Sequence, residues 1–79
     1  MKILLKLQGT LPNHYRGPYP ESGLAIDIAD GATVAELADF TGIDRNRIGL
    51  VSINGLLAKA QDAIPAGAEV KFLPPLAGG

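Results

Sequence analysis

The side chains that most often carry catalysis are sparse and scattered in this 79-residue chain. Its one histidine, His14, lies among glycines and prolines; there is no cysteine, and Ser22 and Ser52 have no base at a motif spacing. The carboxylates stand singly, no glycine-rich phosphate motif joins a strand to a helix, and His14 has no grouped partners for a metal. An internal catalytic constellation is not expected, and His14 reads as a solvated loop residue. The segment that could do chemistry is the end, Phe72-Leu73-Pro74-Pro75-Leu76-Ala77-Gly78-Gly79. A Gly-Gly that follows a strand and a Pro-Pro spacer should project from the domain, because proline restricts φ while glycine leaves the tip free to extend. A carboxylate there is a poor electrophile until one oxygen becomes a leaving group, as in an acyl adenylate. A partner would have to bring ATP to Gly79 through a narrow channel that side chains at the last two positions would obstruct. The activated carbonyl could then take sulfur, giving a thiocarboxylate, or an amine, giving an amide. On this reading the chain is the reactant and its partners hold the machinery.

The elements that must carry such a tail are legible from periodicity. Lys2 to Leu7 alternates, with Ile3, Leu5 and Leu7 inward and Lys2, Leu4 and Lys6 outward. Gln8 to Gly23 breaks all periodicity and reads as a long loop, functional or mobile, with its tyrosines covering the core edge. Leu24, Ile26 and Ile28 give a second strand. Thr33-Val34-Ala35-Glu36 fits a capping box, Val34, Leu37, Ala38 and Thr41 follow at helical spacing, Gly42 ends the helix, and Ile43 returns to the core. Ile48 to Ile53 is a third strand, Asn54-Gly55 a type I′ turn, Leu56 to Ala58 a returning strand and Glu69 to Leu73 the last, with Val70 and Phe72 inward. This order predicts an α+β fold of the β-grasp, ubiquitin-like kind: a mixed sheet of four to five strands with one main helix packed on one face. We expect a β-grasp domain over 1–74 and a flexible tail over 75–79. Outward Leu4, Leu50 and Leu73, with Pro74, Pro75 and Leu76, should form an apolar partner patch between Lys2, Lys6 and Lys71.

Composition excludes several classes. With 47% hydrophobic and 19% charged residues the chain is not disordered. A net charge of −1 leaves no basic stripe for nucleic acid. No apolar run approaches the roughly 20 residues that cross a bilayer. Lys6 interrupts what would otherwise resemble a signal peptide, so a cytoplasmic protein is expected.

The tail is similar to the ending of the molybdopterin synthase small subunit. Together with Gly31-Ala32-Thr33-Val34-Ala35-Glu36-Leu37, Val51-Ser52-Ile53-Asn54-Gly55 and Gly67-Ala68-Glu69-Val70, it resembles the MoaD/ThiS family of ubiquitin-like sulfur carriers. The resemblance spans nearly the whole chain except Gln8 to Gly23. It implies a non-enzymatic co-substrate that binds no cofactor of its own. A ubiquitin-activating-like adenylyltransferase would use ATP to adenylate Gly79, and a sulfurtransferase would help install the thiocarboxylate. Gly78, Ala77 and Leu76 would enter the partner with it. The acceptor would be the molybdopterin synthase large subunit or a thiazole synthase; Pro74-Pro75-Leu76-Ala77 looks more like the molybdopterin branch, whereas the short helix is as in the thiamine carriers. The chain departs from the family at Ala66 and Ala68, where an Asp is frequent, and in the loop holding His14, Tyr15, Arg16 and Tyr19. A protein modifier, or a noncovalent interaction module for which the tail is incidental, remains an alternative.

Overall fold

In the computed structural model, which describes residues 1–75, five strands and one helix follow the predicted order. They are β1 (Lys2–Leu7), β2 (Leu24–Asp27), α1 (Val34–Thr41), β3 (Leu50–Ile53), β4 (Leu56–Ala58) and β5 (Glu69–Leu73). The sheet runs β2-β1-β5-β3-β4. β1 and β5 are parallel, and the other neighbours are antiparallel. Such a mixed sheet with one helix is the β-grasp arrangement.

The inward alternation of β1 and β5 meets the apolar stripe of α1. Leu5, Val70, Phe72 and Leu37 are fully buried, and Val34 and Ala38 join the same core. Every amide of the helix's first turn is satisfied. Thr33 N–H donates to the Glu36 carboxylate at 2.9 Å and Glu36 N–H to the Thr33 hydroxyl at 3.2 Å, completing the capping box. Val34 and Ala35 donate to the carbonyls of Asp62 and Ala60 at 3.0 and 2.9 Å. With Val34 buried at the helix start, this accounting has to close. Gly42 ends α1 at φ 74°, and Ile43 is buried immediately beyond it.

Three segments differ from expectation. The loop Gln8 to Gly23 contains a 3₁₀ turn, Leu11–His14, which sinks Leu11 into the core at 1% exposure. The same loop is tied to β1 by the Tyr19 hydroxyl, which accepts from Leu7 N–H at 2.9 Å, and Tyr15 and Tyr19 pack against the core. Strand β3 begins at Leu50 and not at Ile48, because a second 3₁₀ turn, Arg45–Arg47, capped by Asp44, still holds Ile48 N–H on the Arg45 carbonyl. Strand β2 stops at Asp27, one residue before Ile28. The β3–β4 turn is as predicted, with Asn54 at φ 51° and Gly55 at φ 86°.

Candidate functional site: the root of the C-terminal segment

The last strand leaves the sheet at Leu73, whose cross-strand partner is Leu50. Gly49 N–H donates to the Leu73 carbonyl at 2.7 Å, and the chain then crosses directly over Gly49. A Cβ placed on Gly49 would lie 2.5 Å from Pro75 Cα, 2.7 Å from Pro75 N and 2.9 Å from Pro74 C. From the other side, a Cβ on Gly9 would come within 2.9 Å of Pro74 Cγ. Pro74 and Pro75 are thus held in a notch between the end of β1 and the entry to β3.

The two flanks of this notch differ in chemistry. On one, Thr10, Leu11 and His14 face Asn46 and Arg47 across a groove of about 270 Å³ beside the two prolines. His14 Nε2 and Arg47 Nη1 stand 3.4 Å apart. An arginine can only donate, so a hydrogen bond between them has His14 Nε2 as its acceptor. His14 is exposed, as expected, yet it stands at the tail root and not in an isolated loop. On the other flank Gly49, Leu50, Leu73, Pro74 and Pro75 line an apolar depression of about 330 Å³, with Leu50 49% exposed.

The outer face of the sheet is ordered in rows by its register. Leu73 lies opposite Leu50; one row down, Lys6, Lys71, Ser52 and Leu57 follow one another across β1, β5, β3 and β4; below that, Leu4 lies opposite Glu69. The predicted patch therefore divides. Leu50, Leu73, Pro74 and Pro75 come together, but Leu4 does not join them. It sits four residues below the level of Leu73, about 13 Å along a strand, against Gly23. The parallel register of β1 on β5 causes this. Leu76, Ala77, Gly78 and Gly79 lie outside the described residues.

The outward lysines of β1 are not free. Lys6 Nζ pairs with Glu69 Oε1 at 3.0 Å and Lys2 Nζ with Asp27 Oδ2 at 3.0 Å. The hydrogen bond from Lys6, and then its charge, hold the Glu69 carboxyl below its ordinary value. Among the described residues no three His, Asp or Glu side chains gather as a metal site would require. Gly49 was the residue that sequence reasoning passed over. The signal was present, since a lone glycine inside a strand pattern marks a close backbone approach.

Comparison with known proteins agrees with this architecture. The sequence model of the ThiS family matches residues 17–79. The fold is similar to SAMP1 from Haloferax volcanii, at 22% identity and a TM-score of 0.72, covering 100% of both chains. A second structure, H. volcanii small archaeal modifier protein 1, aligns at 21% identity and a TM-score of 0.71, covering 95% of this chain and 98% of that one. A candidate molybdopterin converting factor, subunit 1, from Pyrococcus furiosus aligns at 16% identity and a TM-score of 0.71, covering 96% and 99%. No curated protein sequence matches significantly.

Proposed function

This chain belongs to the ThiS family of small ubiquitin-like proteins, and from that premise we propose that it is a sulfur carrier. A ubiquitin-activating-like adenylyltransferase adenylates the Gly79 carboxylate: its oxygen attacks the α-phosphorus of ATP and pyrophosphate leaves. The terminal sulfur of a sulfurtransferase persulfide then attacks the acyl carbon and AMP leaves; a second thiol cleaves the resulting acyl disulfide, forming a new disulfide and releasing the thiocarboxylate. The carrier supplies no catalytic group and binds no cofactor. Leu76, Ala77 and Gly78 enter the partner with Gly79, and Leu50, Leu73, Pro74 and Pro75 form the docking patch at its mouth. The observation that carries the reading is the tail root, where Pro74 and Pro75 are seated over Gly49 at the end of the central strand β5, ahead of a sequence that closes on Gly78-Gly79.

Pro74-Pro75-Leu76-Ala77 favours molybdopterin synthesis as the destination of the sulfur, with the synthase large subunit as acceptor. A thiazole synthase is the alternative acceptor within the same chemistry. No helix of the described residues is long and apolar enough to cross a membrane, and a cytoplasmic setting, where ATP is available, goes with the reading. The fold match to small archaeal modifier protein 1 favours a second reading, in which a lysine amine attacks the carbonyl of the same acyl adenylate, AMP leaves and an amide forms. Intact-protein mass spectrometry of the chain recovered from its own cells separates them. A mass gain equal to one oxygen replaced by sulfur is expected for the carrier, and branched peptides on other proteins for the modifier. Neither product, in cells with an active adenylyltransferase, would sink both.

A further inference from the structure

We infer that Gly49 is a positioning residue, whose missing side chain fixes the line along which the tail leaves the domain. The inference deepens the carrier reading and its activity test rests on it; its structural test does not. Glycines serve two purposes here. Gly31, Gly55 and Gly67 have φ of 80°, 86° and 76° and nothing within 4 Å of an added Cβ, so backbone conformation explains them. Gly49 is the reverse. Its φ is not positive, so any residue could adopt its backbone, yet a Cβ would collide with three backbone atoms of Pro74 and Pro75.

Backbone cannot rotate out of the way as a side chain would. The two prolines have φ fixed near −65°, the Pro74 ring occupies the space that a Cβ on Gly9 would need, and the Leu73 carbonyl is bonded to Gly49 N–H. For a methyl group added to Gly49 to reach ordinary contact at 3.4 Å or more, Pro75 must retreat by about 1 Å from the 2.5 Å approach. Leu76 to Gly79 can span at most about 14 Å. With so few bonds between them, a displaced Pro75 leaves little slack for the Gly79 carbonyl to be brought back to the place a partner's site requires. Misplacement by about 1 Å at a reacting centre costs on the order of 100-fold in rate.

The test is Gly49→Ala in the full chain, with Gly31→Ala as the control. By NMR, wild type should show a close Gly49 Hα–Pro75 Hα contact. G49A should lose it and shift resonances near Gly9 to His14, Arg47 to Leu50 and beyond Leu73, leaving β1 and α1 unchanged. With the organism's own adenylyltransferase, ATP–pyrophosphate exchange should fall at least tenfold in kcat, and by more than KM rises, since Pro75 shifts within the docking patch while Leu50 and Leu73 keep their cross-strand pairing. A wild-type-like Pro75 environment in G49A, or a displaced Pro75 with unaltered kcat, overturns the inference. If wild type itself supports no exchange, the carrier reading fails while the NMR arm still decides what Gly49 does. Should G49A not fold, the double variant Pro74→Gly/Pro75→Gly frees the root with Gly49 intact; the same loss in kcat is expected, and unchanged kcat overturns the claim.

Discussion

Leu11 shows what one side chain can do in a segment without periodicity. It lies in a stretch rich in glycine and proline, yet it is 1% exposed and belongs to the core. Leu11→Ala should cost about 2–5 kcal/mol, as for other buried leucines, measured by urea unfolding; a loss under about 1 kcal/mol would mean that the loop merely lies on the core. A second residue-level expectation concerns acid. The Glu69 carboxyl has its folded-state pKa lowered by the hydrogen bond and charge of Lys6. A depressed carboxylate contributes stability that is fully present above its unfolded pKa and disappears as pH falls through its folded one. Wild type should therefore lose stability relative to Glu69→Gln on descending from neutral pH through and below the ordinary glutamate range, a small effect because the pair is solvent-screened. Parallel acid titrations of the two proteins by circular dichroism would read it, and curves that stay parallel would remove Lys6–Glu69 from the acid limb. Alternation made Ile3, Leu5 and Leu7 readable in advance, whereas Leu11 has no period to betray it.

Elements were legible where a local rule made them. The Thr33–Glu36 capping box, the Gly42 stop and the Asn54-Gly55 turn are short-range chemistry, and all three are present. The helix start, however, is completed by carbonyls of Ala60 and Asp62 from a distant loop, which no local pattern announces. Because those backbone bonds remain, Thr33→Ala should remove only the side-chain cap, at about 0.5–2 kcal/mol. Chemical denaturation tests this, with an unchanged slope expected against denaturant and a lower midpoint. A collapse of cooperativity would instead mean that Thr33 organises the 60–62 loop as well. Strand register was the information least available. Separating Leu4 from Leu73 required knowing that β1 meets β5 in parallel with Leu4 opposite Glu69, and outward alternation is silent about which rows coincide. The same limit hid the notch, since Gly9 and Gly49 converge on Pro74 only once both strand ends are placed.

At the scale of the molecule, the strand that bears the tail is the middle of the five. β5 is paired on both sides, and its inward residues Val70 and Phe72 are fully buried. The tail therefore departs from the part of the fold least able to move, an arrangement suited to presenting a reactive end at a fixed place. Among the described residues, large apolar side chains are exposed in three places: Leu50 beside the tail root, Phe40 at 51% on α1, and Leu56 and Leu57, at 74% and 76%, on the edge strand β4. Exposure alone would favour β4 as the docking site, whereas proximity to the reacting end favours Leu50 and Leu73. Binding energy concentrates in a few residues near the centre of an interface, which near-neutral neighbours shield from water; with the tail entering the partner, Leu50 and Leu73 lie nearest that centre, so proximity should win. Leu73→Asp is expected to weaken association with the activating enzyme by more than about 1 kcal/mol, while Leu57→Asp leaves it unchanged and both variants keep their unfolding midpoints. Calorimetric titration of the two variants decides the matter. Equal losses would extend the contact across the whole outer face, and a loss confined to Leu57→Asp would move the partner to the β4 edge and away from the tail.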